Sequence, residues 1–371
     1  MGLRVIICGG GTGGHVFPAI AIANALKTID QEIQILFVGA RGKMEMEKVP
    51  AAGYKIEGLW ISGLQRKLSL RNLAFPLKLT SSLIRARSIL KKFRPQVVVG
   101  VGGYSSGPVV YLASGKKSIK TLIQEQNSYA GMTNKLLGKR VDRICVAYEN
   151  MERFFPAEKI IKTGNPVRRE ISNSEITREE SIQFFNLEPS KKTMLVIGGS
   201  LGARSINESI SDGIDRIKKA GIQLVWQTGK HFIDQARQRV GNDKEITVTE
   251  FIDKMDMAYA AADLVVSRAG AIAVSELCLV KKPVILVPYP FAAEDHQVQN
   301  ALALVEKKAA IMVKDHNAKQ VLVDQILELA GNEKEMTELA SNIGALAVSD
   351  SAERIAQEIM DLVEPELKKA N

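Results

Sequence analysis

Short, unbroken apolar runs punctuate the chain, and the segments between them carry apolar residues at helical spacing. In the first half the runs are Val5 to Cys8, Ile33 to Val38, Val97 to Val101, Thr121 to Ile123 and Asp142 to Val146. In the second half they are Met194 to Ile197, Leu224 to Trp226, Ile246 to Thr249, Leu264 to Val266, Val284 to Val287 and Ala310 to Val313. A run that is apolar at nearly every position suits a strand covered on both faces, whereas Ile20, Ala23 and Leu26 share one side of a helix. Repetition of this βα unit predicts an α/β chain, with parallel sheets and helices on both of their faces.

The pattern restarts once. TGNPV at Thr163 to Val167 leads into a polar, charged stretch lasting to Lys192, after which TMLVIGGSLGARSINESI repeats the opening strand, glycine turn and helix. This predicts two doubly wound, Rossmann-like domains, residues 1–163 and 164–348. Each has a glycine turn at the carboxyl end of its first strand, and the two are expected to face a central cleft, where such sheets take ligands. Ser349 to Val363 reads as an amphipathic helix, and residues 349–371 are expected to cross back to the first domain. A chain of 371 residues at 46% hydrophobic has ample material for two cores.

The first turn, GGGTGGH at Gly9 to His15, has five glycines in seven residues. Glycines permit positive φ and close approach of a ligand to the backbone, and the helix start that follows favours an anion such as phosphate. The spacing Gly9, Gly11, Gly14 also fits the dinucleotide fingerprint, a weak signal by itself. The strand Ile33 to Val38 ends in GARGK without the carboxylate that would hold a nicotinamide ribose, although Arg41 could meet a 2′-phosphate. GVGGYSSGP at Gly100 to Pro108 is a further glycine turn. In the second half SRAGAIAVSELCL at Ser267 to Leu279 carries a helix start at Gly270 and Ala271. Glu276 lies about two turns in, placed for a ribose diol or, plainly, a solvated helix glutamate. PYPFAAEDHQVQNA sets Asp295, His296, Gln297 and Asn300 at another helix entrance, where amides could read sugar hydroxyls and Asp295 could be an ordinary N-cap.

Charge and cysteines narrow the class. Residues 1–165 carry 25 Lys and Arg against 10 Asp and Glu, a net +15, while residues 166–371 carry 25 against 31, a net −6. The densest stretch, Arg66 to Arg94, has nine basic residues and no acidic one, with leucines and phenylalanines between them. Such a segment suits an anionic membrane surface, and Lys67, Arg71, Phe75, Lys78, Arg85 and Arg87 are its candidate contacts. A solvated helix over a sheet is the plainer reading; nucleic acid is disfavoured by 5% aromatic content and the lack of a nucleic-acid module. Cys8, Cys145 and Cys278 lie far apart, as expected of buried small hydrophobes in a reducing compartment. The first apolar run is too short for a signal peptide core, and no run approaches a membrane span.

Eight motifs occur in the order found in the MurG family of N-acetylglucosaminyltransferases, and the resemblance spans nearly the whole chain. They are GGTGGH at Gly10 to His15, GGYSSGP at Gly102 to Pro108, EQN at Glu125 to Asn127, GNPVR at Gly164 to Arg168, GGSLGAR at Gly198 to Arg204, TEFID at Thr249 to Asp253, SRAGAIAVSE and EDHQVQNA. The resemblance implies the GT-B glycosyltransferase fold, UDP-GlcNAc as donor and undecaprenyl-pyrophosphoryl-MurNAc-pentapeptide, lipid I, as acceptor. It further implies inverting transfer to the muramyl 4-hydroxyl, giving lipid II for the bacterial cell wall, with the enzyme peripheral on the cytoplasmic face of the membrane.

Carried over by residue, the resemblance puts uridine at Phe251 and Ile252, ribose at Glu276, the diphosphate at Ser200 and Arg168, and GlcNAc at the Ala271 and Ile272 amides with Gln297. Thr12, His15, Tyr104 and Asn127 would surround the acceptor diphosphate and sugar, with Thr12, Gly13, Gly14 and Asn127 also reaching the donor, and His15 the candidate base. The chain departs from some members in having His296 before Gln297 where they have two glutamines. No D-x-D pair and no His/Cys cluster occurs, so neither metal nor cofactor is expected, and helix starts with Arg168 would stabilise departing UDP. The rival readings are an NADP-dependent oxidoreductase, a non-catalytic membrane adaptor, and a diacylglycerol glycosyltransferase of the same fold.

Overall fold

The computed structural model describes residues 2–63, 75–172, 174–199 and 201–370. Three candidate residues, Lys67, Arg71 and Ser200, lie outside the described residues. The chain divides into two compact units, residues 1–168 with 350–371, and residues 169–349.

The first unit is built on seven parallel strands: β1 (Arg4–Cys8), β2 (Gln34–Ala40), β3 (Lys55–Leu59), β4 (Val97–Gly100), β5 (Lys120–Glu125), β6 (Arg143–Val146) and β7 (Ile160–Lys162). Their order is β3-β2-β1-β4-β5-β6-β7, so the winding reverses between β1 and β4. Five of these strands contain the apolar runs; β3 and β7 do not, and they are the two edges. An edge strand is covered incompletely, so its sequence needs no unbroken apolar run: β3 alternates as KIEGL and β7 is half-exposed.

Helices α1 (Gly13–Ile29), α2 (Glu45–Ala51), α3 (Phe75–Phe93), α4 (Ser106–Ala113) and α5 (Met132–Gly138) cover this sheet. One core layer joins Val5, Ile7, Val97 and Val99 to Ile22 and Leu26 of α1 and to Ile355, Ile359 and Val363 of the C-terminal helix, Ser351–Ala370. Arg143 of β6 pairs with Glu358 of that helix. The opposite layer gathers Ile6, Cys8 and Val98 under Ala86, Ile89 and Leu90 of α3 and Val109 and Val110 of α4.

The second unit has six parallel strands: β8 (Lys192–Ile197), β9 (Ile222–Gln227), β10 (Ile246–Thr249), β11 (Leu264–Ser267), β12 (Val284–Leu286) and β13 (Ile311–Met312). Their order, β10-β9-β8-β11-β12-β13, repeats the reversal beside the unit's first strand. Its helices include α6 (Arg204–Lys219), α7 (Met255–Ala261), α8 (Ala271–Val280), α9 (His296–Val305) and α10 (Ala318–Ala330). The three cysteines are free and buried, and burial pushes the thiols of Cys145 and Cys278 up to about 12, so they pack as apolar groups.

Helices α6 and α10 meet at Gly213, where a Cβ would stand 2.9 Å from Cγ1 of Val323 and closer still to Cγ2. Alanine at an exposed helix position is favoured over glycine by about 1 kcal/mol, but overpacking a core typically costs about 1–3 kcal/mol. Gly213→Ala is therefore expected to lower the unfolding free energy in urea by about 1–2 kcal/mol. An increase would show that α10 moves aside without strain.

Candidate donor and acceptor sites

In the first unit the glycine turn after β1 is wrapped around a carboxylate. Glu45, at the start of α2, is only 1% exposed. Its oxygens accept the Gly11 N–H at 3.1 and 3.2 Å and the Ala40 N–H at 2.9 Å. A Cβ on Gly10 would run into this carboxylate and one on Gly39 would meet its Cγ at 2.5 Å, while Gly11 has φ of +91°. Glycine is thus required by a neighbouring side chain of the protein itself. The sequence reading gave Glu45 no role; nothing in a pattern of spacing marks a carboxylate that reaches back 34 residues. The finding also removes support from the dinucleotide reading, because the Gly11 amide is already occupied and Arg41 Nε donates to the Gly58 carbonyl at 3.1 Å.

Past Gly11 the turn becomes the mouth of α1. Thr12 is its N-cap residue, and Gly13 and Gly14 open the helix, where the first amides have no acceptor one turn back. His15 is half-buried; its Nδ1 pairs with Thr12 Oγ1 at 3.2 Å, and its Cδ2–Nε2 edge lies against Gly102, leaving no room there for a side chain. Tyr104 packs its ring on Gly11 and Gly63, and burial, followed by the Glu45 charge, pushes its hydroxyl pKa up. The loop after β5 brings Asn127 to the same carboxyl end of the sheet. Asn127 is oriented by Glu125, whose Oε1 accepts from the Asn127 backbone N–H at 3.1 Å and side-chain amide at 3.2 Å. Glu125 also accepts from Gly131 N at 3.0 Å and Asn134 Nδ2 at 2.9 Å; burial raises its pKa and these bonds oppose the rise. The Arg168 guanidinium stacks on the Phe17 ring of α1, 5.5 Å from its centroid.

In the second unit the candidates gather at the carboxyl ends of β8 to β12. Gly198 and Gly199 leave β8, and Phe251, 43% exposed, follows β10 beside buried Ile252. The Ile252 amide is committed to Gln227 Oε1 at 3.0 Å, so its carbonyl is the group left to address a ligand. Ala271 and Ile272 begin α8 behind the N-cap Gly270. Glu276 is 4% exposed and its Oε2 accepts from the Tyr259 hydroxyl of α7 at 3.0 Å, which rejects the solvated-glutamate alternative. Gln297 Oε1 accepts the Tyr289 N–H at 2.9 Å, which turns its amide group away from the loop as a donor.

Two expectations for this helix entrance are corrected. Asn300 is fully buried with Nδ2 on the Ala269 carbonyl at 3.2 Å, a packing role. Asp295 precedes α9 in left-handed conformation and makes no capping bond through its side chain. Arg268, quoted within a motif but given no role, ties the end of β11 to Val287 and Pro288 carbonyls at 3.0 and 3.2 Å and to Asp315 at 2.5 Å.

The basic helix α3 buries Ser82, Ala86, Ile89 and Leu90 and turns Leu77 and Ile84 outward, each 68% exposed. Its charges are less uncompensated than the sequence suggests. Arg85 pairs with Glu57 of β3 at 2.7 Å, and Lys78 donates to Ser62 Oγ at 3.0 Å beside the Trp60 ring, whereas Arg87 is exposed. No helix among the described residues is long and apolar enough to cross a membrane.

Comparison with known proteins matches the glycosyltransferase family 28 N-terminal domain to residues 5–146 and the family's C-terminal domain to residues 193–357. The chain belongs to glycosyltransferase family 28. It is 55% identical to a UDP-N-acetylglucosamine–N-acetylmuramyl-(pentapeptide) pyrophosphoryl-undecaprenol N-acetylglucosamine transferase of Phocaeicola vulgatus, covering 98% of this chain and 97% of that protein. An enzyme of the same name from Cytophaga hutchinsonii is 54% identical over 98% of each chain. The crystal structure of MurG from Acinetobacter baumannii superposes with a TM-score of 0.78 at 28% identity, over 97% of this chain and 99% of that one. The two doubly wound sheets are therefore the GT-B fold of family 28.

Within this family 28 chain, Glu45→Ala would leave the Gly11 and Ala40 amides without an acceptor. An unsatisfied buried donor costs about 1–3 kcal/mol, so a loss of about 3 kcal/mol in urea unfolding is expected, with faster hydrogen exchange at both amides. A loss below about 1 kcal/mol would mean that water replaces the carboxylate.

Proposed function

We propose that the chain transfers GlcNAc from UDP-GlcNAc to the 4-hydroxyl of the muramyl sugar of lipid I, forming lipid II for peptidoglycan synthesis. The observation that carries this is the near-full-length identity of 54–55% to enzymes named for that reaction. The buried, oriented Glu276 and the paired glycine turns support it.

On this reading Phe251 and the Ile252 carbonyl receive uridine, and Glu276 accepts from the ribose hydroxyls. Arg168 and Ser200 meet the diphosphate, and the Ala271 and Ile272 amides with the Gln297 amide donor hold GlcNAc. Thr12, His15, Tyr104 and Asn127 serve the acceptor diphosphate and sugar at the mouth of α1, and Thr12, Gly13, Gly14 and Asn127 reach the donor as well. The acceptor O4 attacks the anomeric carbon as the bond to the β-phosphate oxygen breaks, which inverts the centre. His15 takes the O4 proton, and the leaving charge is met by helix-start amides and Arg168. The protein works peripherally at the cytoplasmic face of the membrane, with Leu77, Ile84 and Arg87 of α3 toward an anionic surface.

Transfer of labelled GlcNAc to a short-chain lipid I analogue tests the reading, and His15 variants test the mechanism. His15→Ala and His15→Gln are both expected to lower kcat by about 10²–10⁴ with acceptor KM little changed. A rise in acceptor KM alone, spared in the glutamine variant, would make His15 a phosphate ligand instead. In flotation with phosphatidylglycerol vesicles the wild type is expected to bind at low salt, and Leu77→Ser with Ile84→Ser and Arg87→Glu to abolish that binding. Equal binding would remove α3 from the membrane face.

A further inference from the structure

Gln227, the last residue of β9, had no part in the sequence reading, yet two candidate donor loops converge on it. The sheet order sets β9 between β8 and β10, so the Gly198–Gly199 turn and the Phe251–Ile252 segment flank its carboxyl end. Gln227 is 4% exposed; Nε2 donates to the Gly199 carbonyl at 3.0 Å and Oε1 accepts the Ile252 N–H at 3.0 Å. A carboxamide presents a donor and an acceptor from one rigid plane, so a single side chain spans the two loops.

The strand end that carries it is itself fixed. Trp226 Nε1 donates to Asn207 Oδ1 at 3.0 Å, and Asn207 Nδ2 donates to the Thr228 carbonyl at 2.7 Å. The Thr228 and Gly229 amides donate to the Thr249 and Glu250 carbonyls at 3.0 and 3.1 Å. Gly202 lies so close to the Thr228 carbonyl that no Cβ would fit. A displaced Gln227 would therefore shift the loops rather than be absorbed by the strand.

We infer that Gln227 is a positioning residue for the nucleoside diphosphate, setting the distance between the loop that takes the base and the turn that takes the diphosphate. This rests on the donor assignment of the proposed function. A ligand that engages both loops gains from their spacing as well as from each contact, whereas one that engages a single loop does not. UDP reads the spacing; uridine does not.

Two variants of similar volume separate the parts. Gln227→Glu keeps an acceptor for Ile252 but sets a carboxylate oxygen against the Gly199 carbonyl, and Gln227→Met removes both bonds. Calorimetric titration with uridine and with UDP, on proteins checked by Tm, is expected to show UDP Kd raised at least about tenfold in both variants. Uridine Kd in Gln227→Glu should stay within about threefold of wild type. KM for UDP-GlcNAc should rise with the UDP Kd, while kcat and acceptor KM stay within about threefold. UDP affinity within twofold of wild type in both variants, or equal losses of uridine and UDP in Gln227→Glu, would overturn the inference. If Gln227→Met does not fold, Gln227→Glu decides, with uridine as its internal control. A wild type that binds UDP but transfers no GlcNAc sinks the proposed function alone; one that binds no UDP sinks both.

Discussion

A buried carboxylate organises the first unit's candidate site. Glu45 bonds to backbone amides on two different strand ends, Gly11 after β1 and Ala40 at the end of β2. Removing an anion from water is costly unless its lone pairs are filled, so this arrangement is stable only if both loops hold still. The glycines, Tyr104 on Gly11 and the entry to α1 all follow from that requirement. The turn therefore splits into two parts. One half is consumed internally, and the other, from Thr12 onward, is left to meet an anion.

The second unit solves the same problem with a neutral group. Its first strand, β8, also ends in a glycine turn, and here the adjacent strand itself supplies the brace, Gln227 at the end of β9. The topological relation of β2 to β1 is that of β9 to β8, but the brace differs in place as well as chemistry: Glu45, on the helix after β2, joins the ends of β1 and β2, whereas Gln227, on β9 itself, joins the segments after β8 and β10. An amide bridges a carbonyl and an N–H; a carboxylate gathers N–H groups only.

What was legible in the sequence followed burial. Strands covered on both faces, such as Val97–Gly100, wrote unbroken apolar runs; the partly buried edges of the first sheet, β3 and β7, did not, although the edges of the second sheet, β10 and β13, were readable. Motifs located most candidate residues, since glycine turns and helix starts are local. Residues that act at long range were silent: Glu45 reaches back over 34 positions and Arg268 over 47 to Asp315. Spacing alone left Glu276 open between a ribose contact and a solvated glutamate, and it is the Tyr259 hydroxyl of α7, against its carboxylate, that removes the second. Arg85 counted as an unbalanced charge because its partner, Glu57, lies on a strand that the pattern did not reveal.

The C-terminal helix has a consequence for biosynthesis. Because Ile355, Ile359 and Val363 complete the core layer under α1, the first unit is interrupted in the chain by the second. During translation, residues 169–349 emerge entire while the hydrophobic surface of Ile22 and Leu26 still waits for its cover. Domains generally fold as units in the order they appear. Here the unit that starts first is the one that finishes last, so its exposed α1 face is a target for chaperone holding over the time needed to make about half the protein.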